Sequence, residues 1–490
     1  MQYGFLIDHR RCIGCHACTV ACKAENDVPV GSFRTWVKYT EKGTFPAVKR
    51  SFAVLRCNHC TDAPCVTICP VTALDKRPDG IVDVDRDVCI GCRACMQACP
   101  YDAIYLNDET GSVEKCHYCA HRVEQNLEPA CVVVCPEQAI VPGDLHDPSS
   151  KIATMVAEHD TERRRTEQGT GPNVHYLGHE PVALEPGAAA RPPTYLWSDR
   201  PATKPEPWPA SLETAADTRT VLDAGHKVEW GWAVALYLVT KGIAGGAMVL
   251  APFAAALGLT GFGADYLPEV LALLFLSVTT FLLVEDLTRP MKFLTLLTRG
   301  NRRSWLVKGA YVLIGASTVA TGALACRWLG LDRAADALRW VGLPLGAMVA
   351  AYTAFLFRQC EGRDLWQSGL VLPHLLFQAL LLGAAALRFG APDDRTPLAV
   401  LFLIGAVGHV ALALLEANKA HATANARQGA AFLKTLRYGG LNPFGFGLAL
   451  VAIGTVLAFL TPLGGFGAAL AGIYFYEWAF VRAGQLPPLS

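Results

Sequence analysis

From residue 230 to the carboxyl terminus, apolar positions run together instead of alternating or recurring every third or fourth residue. Eight stretches stand out, at 230–257, 267–287, 305–329, 338–358, 366–388, 397–417, 441–460 and 462–483, with Gly and Ala throughout. Each is about 20 residues long, the length at which a helix crosses the hydrocarbon core of a bilayer. An even number of crossings returns both ends of this half to one side. Residues 1 to about 145 read differently, as a polar head of short strand-like and turn-like pieces such as Gly80–Val84, with many Gly and Pro. Between 146 and 226 apolar periodicity is weak and nine prolines fall between Pro172 and Pro209, which predicts an extended connector. The pattern therefore predicts an α+β head over 1–145, a Pro-rich linker over 146–226 and an all-α polytopic bundle of about eight helices over 227–490.

Composition sharpens the division. Of 490 residues 52% are hydrophobic and 18% charged, below the roughly 25% charged residues of soluble chains. Residues 1–229 carry 24 Lys/Arg and 31 Asp/Glu, whereas 230–490 carry 19 and 12, so the zero net charge cancels two unlike halves. No broad basic face exists for nucleic acid, and no disordered or collagen-like composition appears. Thirteen Lys/Arg fall in the connections on the head side of the bundle against five on the far side, and the positive-inside rule then puts the head in the cytoplasm. The first twenty residues show no signal-peptide core, which agrees. An exported partner carrying the folded head across is the alternative.

Sixteen of the eighteen cysteines fall in four runs: Cys12, Cys15, Cys18 and Cys22; Cys57, Cys60, Cys65 and Cys69; Cys89, Cys92, Cys95 and Cys99; and Cys116, Cys119, Cys131 and Cys135. The last three end in x3-Cys-Pro, and the third is the bacterial ferredoxin run, in which three close thiolates hold one cubane and the fourth reaches its neighbour. Four such runs predict four [4Fe–4S] clusters. Structural zinc, which takes paired C-x2-4-C sets, and individual [3Fe–4S] clusters remain the alternatives.

The segment CIGCHACTVACKAEN at 12–26 and the four-run layout resemble the four-cluster electron-transfer subunit of dimethyl-sulfoxide-reductase-type molybdoenzymes. The resemblance implies two nested di-cluster ferredoxin-like units. Within them it groups Cys57, Cys60, Cys65 with Cys99; Cys89, Cys92, Cys95 with Cys69; Cys12, Cys15, Cys18 with Cys135; and Cys116, Cys119, Cys131 with Cys22. It also implies a separate molybdenum bis-pterin catalytic subunit and a bacterial or archaeal cytoplasmic membrane.

A cluster wire joined to a membrane bundle points to a quinone, menaquinone or ubiquinone, as the lipid-soluble partner. The start of the first span and the ends of the second and fourth must face the head. Tyr237, Asp286 and Tyr352 are the donors and acceptors placed there, with His226 and Glu285 behind them. Packing, interfacial anchoring and a helix-end salt bridge to Arg289 are the plain alternatives. The pieces WGWAVALY at 230–237, DLTRP at 286–290 and YTAFL at 352–356 resemble the NrfD/polysulfide-reductase family of quinone-reactive membrane subunits, although Tyr237 stands where that family is associated with a histidine. Lys241, His374, His409, Glu416 and Glu477 permit a proton path or pair for structure. Competing expectations are the same wire in a hydrogenase or cytochrome-coupled quinol-oxidising complex, and a membrane scaffold or ion-translocating unit without quinone chemistry.

Overall fold

The computed structural model describes residues 1–190, 217–225, 227–390 and 396–490; His226 lies outside them. The head is organised by ten short strands. β1 (Tyr3–Asp8) is the centre of a three-stranded sheet, antiparallel to β8 (Ile140–Asp144) and parallel to β9 (Val174–Leu177). β2 (Thr35–Lys42) and β3 (Lys49–Arg56) form a second antiparallel sheet whose outer strand is β10 (Thr218–Leu222). Two hairpins complete the head: β4 (Leu74–Lys76) with β5 (Val82–Val84), and β6 (Ile104–Asn107) with β7 (Ser112–Lys115). β1 is central and covered on both faces, which is why Phe5, Leu6 and Ile7 are a continuous, fully buried apolar run.

The region read as a connector contributes more than a connector. β9 and β10 hydrogen-bond into both head sheets, and a helix at Lys151–Glu158, capped by Ser150, packs on β8 and β1. Strands of four and five residues carry little periodicity, so their pairing is visible only in three dimensions.

The membrane half holds eight long helices: α1 (Trp232–Leu250), α2 (Leu267–Glu285), α3 (Trp305–Trp328), α4 (Asp332–Gln359), α5 (Val371–Leu387), α6 (Thr396–Asn418), α7 (Pro443–Leu460) and α8 (Pro462–Gln485). Among the described residues seven are long and apolar enough to cross a membrane, which makes the chain a multi-pass membrane protein. The exception is α8, whose IYFYEW stretch dilutes its hydrophobicity over a spanning length of 24 residues. α8 nevertheless doubles back along α7 from the single linking residue Thr461, Gly447 meeting Gly472 and Ala458 meeting Gly465, and its end returns to the head. Asn442 caps the start of α7 and Thr461 that of α8, each followed by Pro in the first turn.

α1 is the axis of the bundle and 89% of its apolar window is buried. Small residues permit this. A Cβ on Gly246 would stand 2.0 Å from the Ala379 carbonyl oxygen of α5, so the two backbones approach as only glycine allows. At the end away from the head, Arg339 of α4 forms a buried two-pronged ion pair with Glu269 of α2, at 2.6 and 2.9 Å. The sequence pattern put Arg339 near a loop. α4 in fact begins six residues before the expected span, because Asp332 and Asp336 pair with Arg327 and extend the helix outward.

The head sits on one end of the bundle through bonds to its cysteine loops. Trp230 Nε1 donates to Cys92 O at 3.3 Å, Arg289 Nη1 to Cys89 O at 3.2 Å, Asn301 Nδ2 to Cys69 O at 3.0 Å and Arg363 Nε to Gln97 Oε1 at 2.8 Å. Gln485, at the end of α8, joins Gln97 to the start of α1.

Candidate electron-transfer and quinone site

The loops Cys12–Cys18 and Cys89–Cys95 have the same backbone path. Gly14 and Gly91 both stand at φ +71°, and His16 and Arg93 at 61° and 59°. Left-handed residues at matched places turn successive amides inward, the concave arrangement that binds anions. Short helices at Ala17–Asn26, Pro64–Ile68, Ala94–Ala98 and Ala130–Val133 then carry the third cysteines of the runs, Cys18, Cys65, Cys95 and Cys131.

Chain entry and exit bring the cysteines together in four quartets. Cys12 lies within electrostatic reach of Cys15 and Cys135, and Cys18 of Cys12; Cys22 of Cys116, Cys119 and Cys131; Cys65 of Cys57, Cys60 and Cys99; and Cys95 of Cys89, Cys92 and Cys69. The quartets form a file. Cys95 neighbours Cys65, Cys116 neighbours Cys57, and Cys18 neighbours Cys131. Among the described residues no three His, Cys, Asp or Glu side chains converge on a single ion.

Donors aimed at the sulfurs fit an iron–sulfur cluster. Backbone N–H groups of Ala73 and Ala139 reach Cys69 Sγ and Cys135 Sγ at 3.2 Å, and that of Tyr118 reaches Cys116 Sγ at 3.4 Å. Burial pushes the bare thiols up, Cys18, Cys92 and Cys116 each to about 12, so they ionise only when a metal replaces the proton. Two buried cations complete the charge pattern. Arg56, 1% exposed, puts Nη1 3.3 Å from Cys131 Sγ while its Nε and Nη2 find no partner. Burial opposes its charge, but the sulfurs of Cys131, Cys116 and Cys18 hold the guanidinium protonated above its ordinary range. Lys115, equally buried, is raised in the same way by Cys57, Cys65 and Cys116 against the opposing effect of burial. No carboxylate partners Arg56 among the described residues; an anionic cluster held by the neighbouring cysteines would supply the counter-charge that Arg56 lacks. No sequence signal singled out either residue.

The file ends at a cavity. Cys92, Ile90 and Pro70 from the head close one wall of a space of about 480 Å³ whose other walls come from α1, α2, α3 and α4, within the usual size of small-molecule sites. Its lining is apolar apart from Tyr237, Tyr352, Thr280, Ser317 and Thr318. Phe293, Leu297 and Ile314 at its rim are 40%, 42% and 47% exposed, so it opens between α2 and α3 on the outside of the bundle, where lipid lies. At the far end of the file Cys15 is exposed.

The other expected residues fare differently. Asp286 does not line the cavity but sits beside it, near enough for its charge to act on Tyr237. Its partner is Arg93 of the cluster loop, at 2.8 Å, while Arg289, its partner in the alternative reading, turns to head carbonyls of Thr110, Arg86 and Cys89. Glu285 is exposed and away from the lining.

Comparison with known proteins identifies both halves of the chain. The 4Fe-4S dicluster domain family matches residues 48–145, and the polysulphide reductase NrfD family matches residues 220–391. The tetrathionate reductase B protein of Salmonella typhimurium is 45% identical over 202 residues, 40% of this chain and 80% of the relative. A putative dimethyl sulfoxide reductase iron–sulfur protein of Halobacterium salinarum is 42% identical over 216 residues, 38% of this chain and 81% of the relative. The polysulfide reductase B protein of Wolinella succinogenes is 37% identical over 187 residues, 38% of this chain and 98% of the relative. The chain thus belongs to the family of iron–sulfur electron-transfer proteins that serve tetrathionate, polysulfide and dimethyl-sulfoxide reductases, with an NrfD-type membrane region in the same polypeptide.

Proposed function

We propose that the chain relays electrons through four [4Fe–4S] clusters between a catalytic subunit docked at the Cys15 end and a quinone, menaquinone or ubiquinone, in the cavity beside Cys92. The observation that carries the reading is the cavity itself: a cysteine of the last quartet, two tyrosines and an opening toward lipid share one space. Bound clusters supply one-electron steps, and the quinone exchanges two electrons and two protons in all. Tyr237 and Tyr352 supply the hydroxyl donors for its carbonyl oxygens, and Asp286, held by Arg93, orders the loop that carries Cys92. The apolar walls keep water from the last cluster. The likeness to the B proteins of tetrathionate and polysulfide reductases supports chemistry on a separate molybdenum bis-pterin subunit, and the positive charges of the head-side loops favour a cytoplasmic head. Such a cavity in contact with a cluster ligand favours this reading over an inert scaffold.

The test is anaerobic addition of menaquinol to the oxidised full chain, followed by EPR. Wild type gains reduced-cluster signal; Ala310→Trp, which fills the cavity, abolishes the gain without loss of iron. Reduction unchanged in Ala310→Trp, or absent in wild type with any quinol, refutes the proposal.

A further inference from the structure

Beyond the cavity, the bundle contains a second polar assembly in its head-proximal half. Lys241, His374, Gln378, His409, Tyr476 and Glu477 come from α1, α5, α6 and α8, and none is more than 6% exposed. Tyr476 Oη lies 3.1 Å from His374 Nδ1, His374 Nε2 lies 2.6 Å from His409 Nδ1, and Gln378 Nε2 donates to Glu477 Oε1 at 2.6 Å. A consistent assignment has Tyr476 donating to His374 and His374 to His409, which leaves His409 Nε2 with a proton and no acceptor. Pinning helices together does not require that orphan, and amides would pin as well without it.

The assembly has two ends. On one, a small cavity with room for about one water is shared by Glu416, His374, Tyr476 and Glu477. Glu416 accepts from Lys419 Nζ at 3.0 Å and from Ser368 Oγ at 2.5 Å, while its Oε1 has no hydrogen bond and lies 3.9 Å from His421 Nδ1. Lys419 is 28% exposed on the head side of the bundle. On the other end, Glu477 and Lys241 lie within electrostatic reach of each other, and Lys241 Nζ, bonded to Ala350 O, stands 5.0 Å over the ring of Tyr352, which lines the large cavity.

We propose that this file is a proton conduit joining water on the head side to the cavity, entered at Glu416 and leaving through Glu477 and Lys241 toward Tyr352. The proposal rests on the quinone reading. For each quinone reduced, two electrons arrive through the cysteine file and two protons through this one; quinol oxidation runs both in reverse. Glu477 and Lys241 hand the proton on, while the histidine pair, linked to Glu477 by Gln378, holds it in transit. The quinone's protons are thus exchanged with the same aqueous phase that bathes the clusters.

The experiment uses the cluster-loaded full chain in sealed liposomes with a menaquinone analogue in the bilayer and a pH dye in the lumen. Dithionite outside reduces only outward-facing heads. Wild type should show quinone-dependent cluster reoxidation by visible absorbance with unchanged lumen pH. Glu477→Gln keeps the acceptor for Gln378 but cannot carry a proton; it should slow reoxidation about 100-fold, the scale of a lost proton-transfer group. Its EPR spectra and reduction by dithionite should stay unchanged, and Glu477→Asp should restore most of the rate. Glu416→Gln, at the entrance, should act likewise. A lumen that turns alkaline in step with quinone reduction, or a Glu477→Gln rate equal to wild type, overturns the conduit. Absence of quinone-dependent reoxidation in wild type instead overturns the quinone reading beneath it.

Discussion

Arg56 offers the sharpest test of how the head holds its clusters. The guanidinium is buried, lies 3.3 Å from Cys131 Sγ, rests 4.4 Å from the centre of the Phe5 ring, and leaves two nitrogens without partners. An electron added to a cluster spreads over the cube, so its mean distance from the charge is about 6 Å; at an effective dielectric of about 20 the attraction is about 3 kcal/mol. With about 1.4 kcal/mol and 59 mV each per tenfold for one electron, that is about 120 mV. Arg56→Met, which keeps the stem on Phe5, should therefore lower the potential of the cluster bounded by Cys131 by about 100 mV. A lesser drop should appear in the neighbour bounded by Cys18, and the clusters near the membrane should hardly move. The same change should make the cluster-free head more stable, because an unpaired buried cation is removed. Potentiometric EPR titration in wild type and variant measures the first effect. Potentials that all stay within about 20 mV of wild type, a shift well inside the spread these centres show, or a rise in any of them, would refute the electrostatic role assigned to Arg56.

Other outcomes follow from the same geometry. A Cβ on Gly91, at φ +71°, would stand 1.6 Å from Thr288 Oγ1 and 2.8 Å from Gly111 O, so Gly91→Ala should cost at least about 1–2 kcal/mol and lift the cluster loop from the bundle, seen as slower quinol reduction of the clusters at unchanged iron content. Asp286→Ala should cost about 1 kcal/mol by leaving the largely buried Arg93 only the carbonyl of residue 286, whereas Asp286→Asn should cost less; thermal unfolding in detergent separates them, and equal losses would argue against the pair. His9 is held neutral, pushed down to about 4 by burial and then by the charge of His179, against the pull of Asp8. Its folded value lies below the usual 6.5, so the unfolded chain binds the proton more readily. Head stability should be constant above pH 6.5 and fall toward pH 4 by up to about 3 kcal/mol. His9→Gln should flatten that decline when cluster bleaching is followed against pH.

Much of this protein was legible without coordinates, because its strongest signals are local. Cysteine spacing dictates loops that present three sulfurs together, so the runs beginning at Cys12 and Cys89 take the same turn wherever they occur, and a run of twenty apolar residues has few alternatives to a membrane helix. For partners distant in sequence, such as those of Cys69 and Cys99, the sequence offered only what a resemblance implied. The short strands β9 and β10 escaped, since four or five residues acquire their state from the sheet edge they meet. Tyr237 and Tyr352 were placed at the right end of their helices, but only packing decided that both face one cavity, that Asp286 turns to Arg93, and that Glu285 faces outward. Arg56 and Lys115 were invisible for the same reason: a buried cation is explained by the charges around it, and the sulfurs here come from three separate cysteine runs. Sequence determined the elements and the kind of chemistry each carries; tertiary structure decided which groups share a space, because charge, burial and reach depend on distance through the fold and not along the chain.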